Sequence, residues 1–213
     1  MSKGNHWEWR VFGTLTENER KRIETRCSEL VREKIMSDEY IWRDTSRSNV
    51  KIRKNKLKFK QFIKTTADGC QLWRENDSLK FKFPLKYTAI ELLERDLNVK
   101  APPFLEFGCM SSEELKNALA LFKPGLRLLC IRKHRFLYKY IYQNTTFHLE
   151  ISQILSPLQL SSVCIETPGL SMQAAEEQLN HFRNARDSLD LPDTMQVMGY
   201  VELLGKIDGG NFS

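Results

Sequence analysis

Polar and apolar positions alternate near the start of the chain. His6, Glu8 and Arg10 fall on one parity, and Trp7, Trp9 and Val11 on the other. A period of two is that of a strand, here with a charged face and an aromatic-aliphatic face. The same alternation predicts a hairpin of Asn49–Arg53 and Leu57–Lys60 around a turn at Lys54-Asn55-Lys56, with Val50, Ile52, Leu57 and Phe59 apolar and Lys51, Arg53, Lys58 and Lys60 on the opposite face. Leu79-Lys80-Phe81-Lys82-Phe83 repeats it, again with one basic face. In the second half, Leu126–Tyr142 places Lys133, Arg135 and Lys139 on one parity. A turn at Gln143-Asn144 then leads to Thr146–Ile154, where His148, Glu150 and Ser152 oppose Phe147, Leu149 and Ile151. Ser162–Glu166 sets Cys164 and Glu166 against Val163 and Ile165, and shorter strands are expected at Tyr40–Thr45 and Gln71–Glu75.

Between these strands the period changes. A helix is expected over Thr16–Lys34, opened by a capping box of Thr16 with Glu19 and striped by Ile23, Cys27, Leu30 and Val31. Further helices are expected over Thr88–Leu97, from Ser111 or Ser112 through Phe122, over Ser171–Leu189, and from Pro192-Asp193 onward with Met195, Met198, Val201 and Leu204 apolar. The residues from Lys206 read as a loose tail.

Strands with charges on one face and bulky apolar groups on the other do not make an ordinary sandwich, whose inner faces are apolar. The predicted helices can cover the apolar faces, so the expected fold is α+β: an antiparallel sheet curled into a closed or nearly closed barrel with a charged interior and helices outside, which also removes edge strands. A flat sheet with one solvated face is the alternative. For the basic hairpin alone, a solvated surface and an anion site both satisfy the rule that like charges opposed across strands need neutralising.

At 213 residues the chain is long enough for one core, and a single domain over 1–205 is expected. An apolar fraction of 41% and a charged fraction of 28% belong to a globular protein, not a disordered one. The formal charge of +6 favours anionic partners. Apolar runs fall far short of a bilayer crossing and the N-terminus has no signal-peptide core, so an intracellular, cytoplasmic protein with no membrane partner is expected. Five scattered cysteines, Cys27, Cys70, Cys109, Cys130 and Cys164, read as reduced and mostly buried thiols.

Taken in order, Glu8-Trp9-Arg10, Tyr40–Thr45, Asn49–Arg53, Leu57–Lys60, the Lys133 and Arg135 strand, Leu149-Glu150-Ile151, Cys164-Ile165-Glu166 and Gly199–Leu204 resemble the CYTH or triphosphate tunnel metalloenzyme superfamily. That family's first strand carries Glu-x-Glu-x-Lys, and near its end come a Glu-Ile-Glu strand, a helix and a Ser-Tyr-like segment. The resemblance spans nearly the whole chain. It implies an eight-stranded antiparallel tunnel. Arg10, Lys51, Arg53, Lys58, Lys60, Lys133 and Arg135 would grip phosphate, Glu8, Glu150 and Glu166 would hold Mg²⁺ or Mn²⁺, and Glu8 and Glu166 would be catalytic. The implied partner is an anionic phosphorylated small molecule or an RNA 5′ end.

Two positions depart from the family pattern. His6 stands at the first glutamate of the first strand, and Cys164 at the first glutamate of Glu-Ile-Glu. Mg²⁺ prefers oxygen ligands, so three readings stay open: the remaining carboxylates suffice, with Glu75; a metal with more taste for nitrogen and sulfur is used; or catalysis is lost. The functional expectation is a metal-dependent hydrolase of a triphosphate-containing substrate. Its rivals are a catalytically inactive relative binding a phosphorylated ligand or acting as an interaction module, and a nucleic-acid-binding domain, for which no aromatic-basic platform is seen.

Overall fold

The computed structural model describes residues 4–107 and 110–209. Cys109 and residues 210–213 of the expected tail lie outside them. The chain divides into two compact units: Met1–Met36, Ile63–Glu75 and Arg132–Gly199 form the first, and Ser37–Phe62, Asn76–Ile131 and Tyr200–Ser213 the second.

Ten strands follow in chain order: β1 (Asn5–Gly13), β2 (Glu29–Trp42), β3 (Asn49–Ile52), β4 (Lys56–Thr65), β5 (Gln71–Arg74), β6 (Lys80–Lys82), β7 (Arg127–Tyr142), β8 (Thr145–Ser156), β9 (Leu160–Glu166) and β10 (Gln196–Val197). The hydrogen-bonded order is β1-β5-β4-β3-β2-β7-β8-β9, and β9 pairs back onto β1. Eight strands therefore close a ring, as the expected tunnel-like barrel requires; β10 adds to β1 and β6 to β4. The helices are α1 (Glu17–Glu24), α2 (Tyr87–Leu97), α3 (Ser112–Ala118), α4 (Met172–Glu177), α5 (Leu179–Asp187) and α6 (Tyr200–Asp208).

In the first unit, the apolar parity of β1 packs under helices. Trp7 is fully buried and its indole N–H donates to the Ala175 carbonyl of α4 at 2.6 Å, while the Arg186 guanidinium of α5 lies over the Trp9 ring. Phe136, Tyr138, Tyr140, Phe147, Leu149, Ile151, Val163 and Ile165 continue this core from β7, β8 and β9, with Phe182 and Ala185 of α5. The opposite parity is also buried, because the charged face of these strands is not a solvated one: His6, Glu8, Arg10, Lys133, Glu150, Ser152, Ser162 and Glu166 are all at most 8% exposed.

In the second unit, Val50, Ile52, Leu57 and Phe59 of the β3–β4 hairpin join Ile90, Leu93 and Leu97 of α2 and Leu115 of α3 in a separate core. The hairpin turn is shorter than expected. Lys54 and Asn55 both take positive φ, and Arg53 and Lys56 exchange backbone hydrogen bonds, which makes a two-residue turn of the kind that matches strand twist.

Three expected helices change. The capping box at Thr16 and Glu19 forms, but α1 ends at Glu24, and Leu30 and Val31 lie exposed on β2, whose end pairs with β7 through Ser28 N–H to the Lys139 carbonyl and through Glu29–Lys139 and Glu33–His134 side-chain contacts. The helix expected over Ser171–Leu189 is broken at Gln178 into α4 and α5. The helix expected from Pro192-Asp193 gives way to β10, where Val197 and Gln196 pair with Val11 and Phe12, and the helical turns start only at Tyr200. Cys27, Cys70, Cys130 and Cys164 are free thiols, Cys70 and Cys164 buried and Cys130 exposed. Burial pushes the Cys27 thiol up to about 12, with Glu24 adding to it.

Candidate functional site

The charged face of the first unit is built by register. Across β7, β8, β9 and β1, one row of paired positions runs Leu137, Glu150, Cys164, Arg10; the next runs Lys139, His148, Glu166, Glu8; another runs Arg135, Ser152, Ser162, Phe12. A register shift between Arg132 and Lys133 sets the parity with which β7 presents Lys133 and Arg135.

Glu150 is the hub of this face. Lys133 Nζ donates to its Oε1 at 3.2 Å, Arg135 Nε pairs with Oε2 at 2.6 Å, Arg10 Nη1 lies 3.6 Å from Oε1, and the Ser152 hydroxyl donates at 2.9 Å. Burial acts to raise the Glu150 carboxyl, but Lys133, Arg135 and Arg10 outweigh it and hold the group well below the usual carboxylate range. Glu150 in turn leads the causes that raise the Arg135 guanidinium. Arg10 reaches Glu150 across the row position of Cys164, while its Nε donates to Glu8 at 3.2 Å and its Nη1 to Ser162 Oγ at 3.0 Å. Cys164 is fully buried, and burial pushes its thiol well above the ordinary range.

His6, Glu8 and Glu166 form a second cluster, with one potential ligand atom from each lying within 4.8 Å of the others. Donors about 2.1 Å from one ion lie up to roughly 4 Å apart, so small side-chain rotations would let this set close around a divalent cation. One imidazole and two carboxylates fit such an ion. The expected set is brought together only in part: Glu8 and Glu166 join, Glu150 is engaged by cations, and His6 takes the third place. Glu75 follows β5 and is not among the three.

In the second unit, Lys51 and Lys58 face each other across β3 and β4, and Lys80 of β6 faces Lys58 from the other side. Three lysines thus cross three strands in one row. Lys60 stands opposite Asn49. Asp38 of β2, fully buried, takes a fork of two contacts from Arg53, lies 3.7 Å from Lys51 Nζ and accepts from the Tyr40 hydroxyl. Lys51 Nζ also sits 5.3 Å from the Tyr40 ring centroid. Asp38 and Lys80 were not among the residues expected to act. The signal for Lys80 was its place in a third alternating basic strand; for Asp38 there was none, since the residues before Tyr40 read as the end of a helix and its sequel.

No family model and no curated protein matches this chain. Solved structures do. A conserved hypothetical protein from Pyrococcus furiosus matches with 17% identity and a TM-score of 0.50 over 92% of this chain and 99% of its own. A protein from Pyrococcus horikoshii matches with 16% identity and a TM-score of 0.50 over 94% and 99%. A Bacillus halodurans protein described as a candidate adenylate cyclase reaches 15% identity and a TM-score of 0.41 over 89% and 92%, too low a score to establish a shared fold. The fold is therefore one shared with the two Pyrococcus proteins, and its ring of eight antiparallel strands is the architecture that the resemblance to the CYTH superfamily implied.

Proposed function

We propose that the protein is a divalent-metal-dependent hydrolase of a triphosphate-containing substrate: inorganic triphosphate, a nucleoside or thiamine triphosphate, or an RNA 5′-triphosphate end. The observation that carries this reading is the buried His6–Glu8–Glu166 cluster on the same sheet face as Arg10, Lys133 and Arg135. When bound, a divalent ion supplies charge neutralisation of phosphoryl oxygens and a more acidic water. His6, Glu8 and Glu166 would hold it. Phosphoryl transfer asks little covalent chemistry of a protein and much positioning and charge, which arginine forks and lysines provide. Arg10, Lys133 and Arg135 would exchange part of their attraction to Glu150 for phosphate oxygens, and Lys51, Arg53, Lys58 and Lys60 would bind phosphate on the hairpin. Hydrolysis would proceed by in-line attack of water on the terminal phosphoryl group.

Two observations favour a second reading, a catalytically inactive protein that binds a phosphorylated ligand or acts as an interaction module. Arg10, Lys133 and Arg135 already neutralise an internal carboxylate, and Cys164 occupies a position where the family resemblance calls for glutamate. Phosphate release from tripolyphosphate, ATP and triphosphate-ended RNA with Mg²⁺ or Mn²⁺ separates the two. Turnover with at least one of these, lost in Glu8→Ala, is expected; no turnover with any of them sinks the hydrolase reading and leaves the binding one.

A further inference from the structure

We infer that the metal position of this chain discriminates towards a borderline transition ion of the Co²⁺ or Zn²⁺ kind and against Mg²⁺, and that His6 is the residue responsible. The inference rests on the metal-dependent reading above and narrows it to a class of ion.

The donor set carries the first part of the argument. Mg²⁺ demands a near-octahedral shell of oxygens and gives up water reluctantly, whereas an imidazole nitrogen adds affinity for ions later in the first transition row. His6 is fully buried, and one of its ring nitrogens lies within 4.8 Å of carboxylate oxygens of both Glu8 and Glu166. The cluster offers carboxylate oxygen from two residues only. Glu150, which would have added a third, is already held by Lys133, Arg135 and Arg10. A Mg²⁺ ion here would need water for most of its shell in a place where the protein ligands are at most 8% exposed.

Backbone register supplies an independent observation. Glu8 of β1 stands directly opposite Glu166 of β9. Like charges facing each other across strands are unfavourable, and at 4% and 8% exposure water screens them poorly. A divalent cation converts that repulsion into shared coordination. Glu8 also pairs with Arg10 Nε at 3.2 Å, and the imidazole on the same strand sets which cation the three side chains favour.

The test is metal binding by the full-length chain after stripping with a chelator. MgCl₂, MnCl₂, CoCl₂ and ZnCl₂ are titrated separately by calorimetry, and visible absorption of the Co²⁺ form reports nitrogen in the shell. Every protein site favours Zn²⁺ over Mg²⁺ to some degree, so the decisive quantity is how the ratio of affinities changes in a variant. His6→Glu is expected to weaken Co²⁺ and Zn²⁺ binding about tenfold or more while holding or improving Mg²⁺ binding, and to shift the Co²⁺ spectrum. His148→Asn, removing the imidazole opposite Glu166, is expected to leave the ratio unchanged. Thermal unfolding without metal checks that each variant folds, and His6→Gln replaces His6→Glu if the added charge unfolds the chain, with the same loss of Co²⁺ affinity expected. No bound ion, an unchanged ratio in the His6 variant, or an equal effect from His148→Asn overturns the inference. Selective metal binding without phosphate release would sink the hydrolase reading and leave this one standing; turnover with Mg²⁺ favoured equally would do the reverse.

Discussion

Two places in this molecule crowd cations onto a sheet face, and they solve the resulting repulsion differently. On the first unit's face, Arg10, Lys133 and Arg135 converge on Glu150, and Lys133 and Arg10 are only 4% and 5% exposed at their side chains. On the second unit's hairpin, Asp38 is fully buried but its partners Lys51 and Arg53 keep 19% and 18% exposure, and the outer lysines of the row Lys51–Lys58–Lys80 each have a carboxylate, Asp38 at 3.7 Å from Lys51 and Asp77 at 2.9 Å from Lys80. The first is a network whose centre, Arg10, Lys133 and Glu150, is buried, with Arg135 at its edge at 22% exposure. The second has only its carboxylate fully buried, and the cations around it reach solvent. Burial decides the energetics: a cation that cannot reach water depends on its internal carboxylate, and one at the edge of water depends on it less.

The largest effect should come from breaking the first network. Glu150→Leu leaves the buried Arg10 and Lys133 without their shared carboxylate, and urea unfolding should show a loss of about 3–5 kcal/mol. Asp38→Asn should cost less, about 1–3 kcal/mol, because Lys51 and Arg53 can turn to solvent. A cost for Asp38→Asn equal to that of Glu150→Leu would erase the distinction between the two regions. The hairpin variant should also weaken protection of the chain by tripolyphosphate in a thermal shift measurement, since Arg53 loses the fork that orients it.

A carboxylate gripped by arginines need not belong to either class, and Asp68 shows why. It accepts from Arg183, Arg186 and Thr66 in the loop after β4 and ties that loop to α5. Burial acts to raise its carboxyl, but the Arg183, Thr66 and Arg186 hydrogen bonds outweigh it and hold the group well below the usual range. A carboxyl lowered in the folded state contributes stability above its unfolded value, near 3.9, and that contribution disappears as pH falls through the folded value. Asp68→Asn should therefore remove about 1 kcal/mol at neutral pH and flatten the acid limb of the stability curve, with metal binding unchanged.

The smallest effect is the most diagnostic. Lys58 stands between Lys51 and Lys80, so Lys58→Ala should reduce stabilisation by added tripolyphosphate while changing stability without ligand by only about 0.5 kcal/mol. If tripolyphosphate stabilises the variant as fully as it does the parent, the lysine row is not an anion site.

The hairpin was legible in the sequence because its information is local. Alternation over Asn49–Arg53 and Leu57–Lys60 names both faces, although the turn, expected at three residues, closes over Lys54 and Asn55 alone. The segment after Cys27 was not. Glu29-Leu30-Val31-Arg32-Glu33-Lys34 is composed largely of good helix formers, yet backbone pairing at Ser28 and side-chain contacts to His134 and Lys139 draw it into β2, an override of propensity by tertiary contact. Likewise Met195 and Met198 have helical spacing, but β1 offers Val11 and Phe12 as strand partners to the residues between them.

By itself, the sequence determined the two-faced strands, the charges they carry, the helices able to cover their apolar sides, and the parity that puts His6, Glu8 and Arg10 together. Those follow from periods of two and of 3.6, which are properties of neighbouring residues. Only the tertiary structure decided that Glu150 is the partner of three cations, that His6 takes its place beside Glu8 and Glu166, and that Arg10 crosses the position of Cys164. The physical reason is register: which residue faces which depends on how β1, β7, β8 and β9, up to some 150 positions apart along the chain, slide against one another until their buried charges are matched.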